Sequence, residues 1–273
     1  FQAEDGIRDS VASRGRGDVY KRQEYDSATV QNAMILIRGF TSETQDYTGP
    51  SLKSFYLGNK AVVGVAITAK VTPLKTQKNV IDWDNYYDEV AKCDLPVIGV
   101  LQDIEKEKGR AAIMGDGMAY KHKAIGAVGD IAEGSIRDLP GIIQSKCPVW
   151  GTGRVPGHGP FNLIETQTTV EVANLTINPN DLLIGDGDGI TRIPLEIAEE
   201  TLKVCEEVRL KETKVQNEFK KKIGEKHCKL QVDDTIKLDE LKTDYSHIKN
   251  SVSFIANNIS CSFNDPFLSL IHI

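Results

Sequence analysis

The chain has 273 residues, 40% hydrophobic and 26% charged, and its 33 basic and 39 acidic side chains leave a net charge of −6. That composition excludes a fibrous or wholly disordered protein and is long enough for one or two domains with a buried core. It also argues against a general phosphate-binding surface, which needs clustered Lys and Arg, so no nucleic-acid partner is expected. Cys93, Cys147, Cys205, Cys228 and Cys261 form no CxxC or Cys/His zinc spacing and read as reduced thiols of a cytoplasmic protein. No apolar run approaches 18 residues, so no membrane partner is expected.

Residues 1–23 (FQAEDGIRDSVASRGRGDVYKRQ) carry neither a helical nor a strand period and no apolar signal core. They resemble the translated read-through of a sequencing-library adapter, and residues 268–273 read the same way. The expected organisation is a non-native leader at 1–23, a folded domain at 24–222, and a poorly ordered or non-native tail at 223–273.

Within the body, Ser27 to Ile37 reads as a helix capped by Ser27 or Thr29. Ala61 to Ala69 is β-branched and apolar, as a buried strand would be. A short helix follows at Asp84 to Cys93 and a strand at Leu95 to Leu101. Then come a helix at Gly117 to Ala124, a strand at Ala127 to Ala132 and a short helix at Pro140 to Gln144. Cys147-Pro-Val-Trp150 and the alternating Thr169 to Ala173 continue the series. Ile190 to Ile193 is a short strand, ended by Pro194 at a helix N1 position. A long final helix carries Leu195, Ala198, Leu202, Cys205, Val208, Val215 and Phe219 at helical spacing. Strands and helices interleave, which points to an α/β, layered fold.

Several motif matches fail on their chemistry. There is no GxxxxGK[ST] and no complete GxGxxG, so Gly151 to Gly159 reads as a turn-rich loop, with His158 in a flexible stretch of it. Asp186-Gly-Asp188-Gly189 starts like a calcium loop but puts Ile190 at the next ligand position, and a tight turn between strands suits it better. Asn174-Leu-Thr176 and Asn258-Ile-Ser260 fit the glycosylation pattern without a secretory signal.

One constellation remains. Asp116 opens a helix and Arg137-Asp138 ends a strand, with twenty residues between Asp116 and Arg137, enough for a helix and a return strand. That crossover can bring a helix N-terminus, with its free N–H groups and positive dipole end, beside an arginine fork suited to a carboxylate. Asp116 and Asp138 supply hard oxygens for a divalent cation. Such a set suits stabilisation of an enolate. Taken alone, Arg137-Asp138 reads more readily as a surface or structural ion pair, and Asp116 could simply cap a helix.

The segment from Gly115 to Asp138, GDGMAYKHKAIGAVGDIAEGSIRD, resembles the Asp-x20-Arg-Asp signature of the RraA-like family, which includes the 4-hydroxy-4-methyl-2-oxoglutarate aldolases, class II pyruvate aldolases. Ala28 to Ala33, Gly64 to Thr68, Pro148-Val-Trp150, Asn180 to Gly189 and Ile193-Pro194 agree in order, so the resemblance runs from Ala28 to about Phe219. It implies a swivelling β/β/α-type fold, a homotrimer or hexamer with sites between subunits, and a lyase releasing pyruvate from a small 2-oxo acid, with oxaloacetate decarboxylation from the same enolate stabilisation. It implies that Arg137 binds substrate and steadies the enolate, that Asp138 ligates Mg²⁺ or Mn²⁺, and that Asp116 holds a metal-bound water. Backbone N–H groups from Gly115, Asp116, Gly117 and Met118 would take the substrate carboxylate. A glutamate of the neighbouring subunit's last helix would reach the metal waters, with Glu212 the best match and Glu206 and Glu207 rivals. Protons would move through a bound water. Glu133 stands where an aspartate is more usual, and Tyr120-Lys-His-Lys123 is bulkier than is common there. The alternative within the family is a non-catalytic regulator that binds and inhibits ribonuclease E.

Overall fold

The computed structural model describes residues 25–42, 44–57, 60–75 and 80–227. The leader expected at 1–23 and all but residues 223–227 of the expected tail lie outside the described residues. The chain divides into two compact units, 1–214 and 215–273. The fold and site below belong to the first; the described part of the second, 215–227, is helix.

Eleven strands and five α-helices are described. In chain order they are α1 (Ser27–Arg38), β1 (Lys53–Tyr56), β2 (Val62–Thr72), α2 (Trp83–Lys92), β3 (Val97–Asp103), β4 (Ala112–Met114), α3 (Asp116–Ala124) and β5 (Ala127–Ile136). There follow α4 (Leu139–Ser145), β6 (Val149–Arg154), β7 (Asn162–Thr166), β8 (Val170–Val172), β9 (Leu175–Ile177), β10 (Leu182–Asp186), β11 (Gly189–Ile193), a 3-10 turn at Leu195–Ile197 and α5 (Ala198–His227).

The main sheet runs β1-β6-β5-β3-β2-β10-β11, with β4 pairing β5 and β7 pairing β2. Its centre is parallel: β2 with β3, β3 with β5, and β5 with β6. Antiparallel β1 closes one edge and the β10–β11 hairpin the other. Parallel central strands are covered on both faces, and their sequences are correspondingly rich in apolar residues, with Asp130 and Glu133 of β5 the charged exceptions at its centre. Alternation sorts the two faces. Val97 and Leu101 of β3 join Val65, Ile67 and Ala69 of β2 against Tyr86 and Val90 of α2, Ala119 of α3 and Ile142 of α4. Ile98 and Val100 point the other way, with Ile131 and Trp150, onto the β8–β9 hairpin through Val170, Val172, Leu175 and Ile177. Helices on one face and a hairpin on the other give the β/β/α layering that the family resemblance implied. A third cluster packs Val30, Ala33 and Met34 of α1 with Ala198, Cys205 and Val208 of α5 against Val63, Leu182 and Ile184. Among the described residues no helix is long and apolar enough to cross a membrane.

Local details depart from expectation for definable reasons. The cap of α1 is Asp26, whose carboxylate accepts the Thr29 N–H at 2.7 Å. Ser27 instead donates both its N–H and its hydroxyl to Asp186, at 2.6 and 2.8 Å. Leu195 precedes α5 in the 3-10 turn. The stretch expected to be loop from Gly151 is strand as far as Arg154, because β5 offers it a parallel ladder pairing Ser135 with Gly153 and Ile136 with Arg154. The turn at Asp186 to Gly189 is as expected: β10 ends at Asp186, and Gly189, at φ 132°, begins β11.

Candidate active site

The crossover β4–α3–β5–α4 builds the site. β4 lies parallel to β5, Met114 pairing with Ile136, and the Met114 carbonyl accepts the Arg137 N–H at 2.9 Å. The residues that follow the two strands, Gly115 and Arg137, are therefore held side by side. Gly115 is the N-cap of α3 and makes no side-chain cap bond. A Cβ there would lie 3.2 Å from Asp138 Oδ2 and 3.5 Å from Arg137 Nε, so a side chain would crowd the two groups the strand end presents. Asp138 stands at the N-cap of α4 in the left-handed region (φ 55°, ψ 40°) and also makes no side-chain cap bond. Aspartate tolerates that backbone better than most side chains, though at a higher cost than glycine. α4 passes close to α3: Gly141 sits against Asp116, whose carboxylate accepts the Gly117 N–H at 2.6 Å.

Asp116, Gly117, Met118, Arg137 and Asp138 thus line one cavity of about 260 Å³ together with Gly115, and its lining also includes Tyr87, His158 and Phe161. At ~30 Å³ per water in the liquid, that is room for about nine waters, the scale of a small oxo acid. The Arg137 Nε lies 3.1 Å from Asp138 Oδ2, with the two side chains 35% and 43% exposed. The dipeptide is thus an ion pair that opens onto the cavity. Glu212 lies elsewhere on this chain, on α5, where it accepts from Asn32 Nδ2 at 3.1 Å.

The aromatic side of the cavity has no counterpart in the motif. Trp83 stacks on Phe161 at 4.8 Å between centroids and donates its indole N–H to the Phe161 carbonyl at 3.1 Å. Tyr87 packs 5.7 Å from Trp83 and carries the Lys121 ammonium over its ring at 3.4 Å. Burial first, then the charges of Asp130 and Asp84, push the Tyr87 phenol up to about 12, so at neutral pH it is an uncharged donor. The only signal in the sequence for this wall is the aromatic content of α2.

Beneath α3 lies a buried polar cluster. His122, on the helix's inner face, bonds Asp130 of β5 at 2.5 Å, and Cys147 donates to the other Asp130 oxygen at 3.2 Å. Burial and the Asp130 carboxylate push the Cys147 thiol far above its ordinary range, so it is inert. This cluster fastens α3 to the sheet. Glu133 accepts the Ala173 N–H at 3.0 Å, and burial raises its carboxyl above the usual carboxylate range; it ties β5 to the hairpin.

The donor set can be tested against a divalent cation. Asp138 and Asp116 are hard carboxylates lining one water-accessible cavity, and a magnesium ion characteristically binds through one or two carboxylates while keeping several waters. Among the described residues no three His, Cys, Asp or Glu side chains gather to form a complete cage. The two carboxylates fit a hydrated ion and do not by themselves enclose one.

Comparison with known proteins bears on the family and the fold. The chain is 26% identical over 191 residues to an uncharacterized protein of Methanocaldococcus jannaschii, spanning 68% of this chain and 88% of that one. It is 28% identical over 137 residues to a Halalkalibacterium halodurans protein provisionally named as a 4-hydroxy-4-methyl-2-oxoglutarate aldolase, spanning 50% of this chain and 61% of that one. Its fold matches Streptomyces coelicolor RraAS2, described as an unusual member of the RNase ES inhibitor RraA protein family, with TM-score 0.60 at 22% identity over 74% of this chain and 96% of that one. The RraA-like family model, Aldolase/RraA, matches residues 27–192, and the chain belongs to that family.

Proposed function

We propose that this protein is a divalent-metal-dependent carbon–carbon lyase, a class II aldolase. It would release pyruvate from 4-hydroxy-2-oxo acids of the 4-hydroxy-4-methyl-2-oxoglutarate type and decarboxylate oxaloacetate through the same enolate. The observation that carries the reading is the convergence of Arg137, Asp138, Asp116 and the start of α3 on one small cavity. Arg137 offers a permanently charged, planar fork to the 2-oxo acid and balances the charge that develops on its oxygen as the enolate forms. The backbone at Gly115 to Met118 places the positive end of α3 toward the substrate carboxylate. Asp138 would hold Mg²⁺ or Mn²⁺ directly and Asp116 through water; the bound ion supplies Lewis-acid polarisation of the 2-oxo group. Tyr87, kept neutral, brings no negative charge to that side of the cavity.

The reading assigns the chemistry to residues 24–222, in the cytoplasm, in a homotrimer or hexamer where Glu212 of a neighbouring subunit would reach the metal waters. The test is pyruvate release from 4-hydroxy-4-methyl-2-oxoglutarate and from oxaloacetate, with Mg²⁺ and with EDTA, by the wild type and by Arg137→Ala. Metal-dependent pyruvate that disappears in the variant supports the lyase. A folded oligomer that releases none from either substrate would refute it and turn attention to ribonuclease E inhibition.

A further inference from the structure

The cavity holds one imidazole that nothing above uses. His158 lies between β6 and β7, in Val155-Pro-Gly-His-Gly-Pro160, whose composition reads as a flexible turn. The structure fixes that turn on both sides of the histidine. The Val155 N–H donates to the Ile136 carbonyl at 3.1 Å, one residue before Arg137, and the Ala112 N–H of β4 donates to the Gly157 carbonyl at 2.9 Å. Beyond the histidine, the Gly159 and Phe161 N–H groups both donate to the Pro73 carbonyl, at 2.9 and 3.2 Å. A Cβ at Gly159 would lie 2.8 Å from that same oxygen, so the seat admits only glycine. Phe161 is itself clamped on Trp83. His158 is therefore exposed to the cavity on a turn tethered to the strands that carry the site.

Its tautomer is set as well. Nδ1 lies 2.7 Å from the Gly159 carbonyl oxygen. A carbonyl can only accept, so Nδ1 carries the hydrogen and the neutral ring keeps its lone pair on Nε2. That nitrogen is the one left to meet a substrate in the cavity shared with Arg137, Asp116 and Asp138.

We propose that His158 is the general base of the carbon–carbon cleavage, an inference that rests on the aldolase reading of this cavity. Nε2 takes the proton of the substrate 4-hydroxyl as the C4–O bond becomes a carbonyl. The C3–C4 bond breaks, and its electron pair moves into C2–C3 with the charge on the 2-oxo oxygen beside Arg137. The imidazolium then returns the proton to C3, completing the methyl group of pyruvate and restoring neutral His158. One proton is borrowed and returned, so no co-reactant enters the balance. Oxaloacetate differs at the first step: loss of CO2 removes no hydroxyl proton, so breaking its C–C bond requires no base.

That difference supplies the test, run on the full chain with Mg²⁺. His158→Gln is expected to lower kcat for 4-hydroxy-4-methyl-2-oxoglutarate by about 100-fold or more while leaving oxaloacetate decarboxylation within about threefold of wild type. His158→Ala should behave likewise, and added imidazole should restore part of its cleavage rate. Equal losses on both substrates, or cleavage unaffected by the substitution, would overturn the role of His158 while leaving the lyase standing. A wild type inactive on both substrates would remove the lyase and this role with it.

Discussion

The contact between α3 and α4 makes a prediction that separates the site from ordinary helix energetics. Gly141 lies in the first half of α4, and a Cβ placed on it would come within 2.5 Å of Asp116 Cβ and 2.8 Å of Asp116 Cγ. In an exposed helix interior, glycine to alanine stabilises by about 1 kcal/mol, because alanine loses less backbone entropy. Here the added methyl meets Asp116 at the root of its side chain, so turning the carboxylate away does not relieve the overlap. Overpacking of this kind costs about 1–3 kcal/mol. The net expectation for Gly141→Ala is a destabilisation of about 0–2 kcal/mol, equivalent to a fall in Tm of at most about 8 °C for a domain of this size. Activity should suffer more than stability. Moving α3 by a fraction of an ångström shifts Asp116 and the backbone at Gly117 together, and misplacement of about 1 Å can cost about 100-fold in rate. Thermal unfolding and pyruvate release over a range of Mg²⁺ concentrations would measure both. A Gly141→Ala protein that gains about 1 kcal/mol and keeps full activity would show that the two helix starts are not in this contact and that Asp116 is not held where the structure places it.

Three further outcomes follow from particular groups. His122→Leu should destabilise the fold by about 3–5 kcal/mol, because Asp130 stays buried with its imidazole partner gone, whereas His122→Leu with Asp130→Leu should recover most of that loss; additive effects in denaturant unfolding would contradict the pairing. Arg38 grips Asp46 through two bonds of 3.0 and 2.6 Å, and the Ser42 N–H adds a third at 2.6 Å. Burial alone would raise the Asp46 carboxyl, but these donors outweigh it and hold the group below its ordinary 3.8. A depressed folded pKa stabilises above the unfolded value and is lost as pH falls through the folded one. The Tm advantage of wild type over Asp46→Asn should therefore be constant above about pH 5 and shrink below about pH 4, and an advantage unchanged down to pH 3 would refute the pairing. Asp138→Gly should abolish metal-dependent pyruvate release while unfolding no earlier than wild type, since glycine carries none of the left-handed penalty of about 1–2 kcal/mol; unfolding that comes clearly earlier would assign Asp138 a structural duty instead.

The sheet centre was readable because burial on both faces leaves its mark in composition: Ala61 to Ala69 and Leu95 to Leu101 are apolar runs, Ala127 to Ala132 is apolar but for Asp130, and each lies in a strand of the structure. Elements that depend on a distant partner were not. Lys53 to Tyr56 becomes a strand only by pairing with β6, and β6 extends through two glycines only because β5 lies alongside. The site divides in the same way. Asp116, Arg137 and Asp138 belong to one local crossover, so their spacing along the chain already encodes their meeting in space. Tyr87, His158 and Phe161 come from α2 and the β6–β7 turn, and no spacing relates them to the motif. Gly157 and Gly159 were legible as turn residues, but the Ala112 and Pro73 partners that hold the turn still are set by packing alone.

Capping separates the structural helices from those that serve the site. α1 begins with Asp26 bonded to the Thr29 N–H, and α2 with Asp82 bonded to the Asp84 N–H at 3.0 Å. Side-chain caps of that kind typically contribute about 1 kcal/mol each. α3 begins with glycine, and α4 with an aspartate whose carboxylate turns to Arg137 instead of its own helix. These are the two helices whose starts border the cavity, and at each the stabilising cap is absent. A chain that needed only to fold would gain by capping both. Leaving just these two ends without a side-chain cap, with a left-handed backbone at Asp138, accords in local energetics with the ligand site proposed for this cavity.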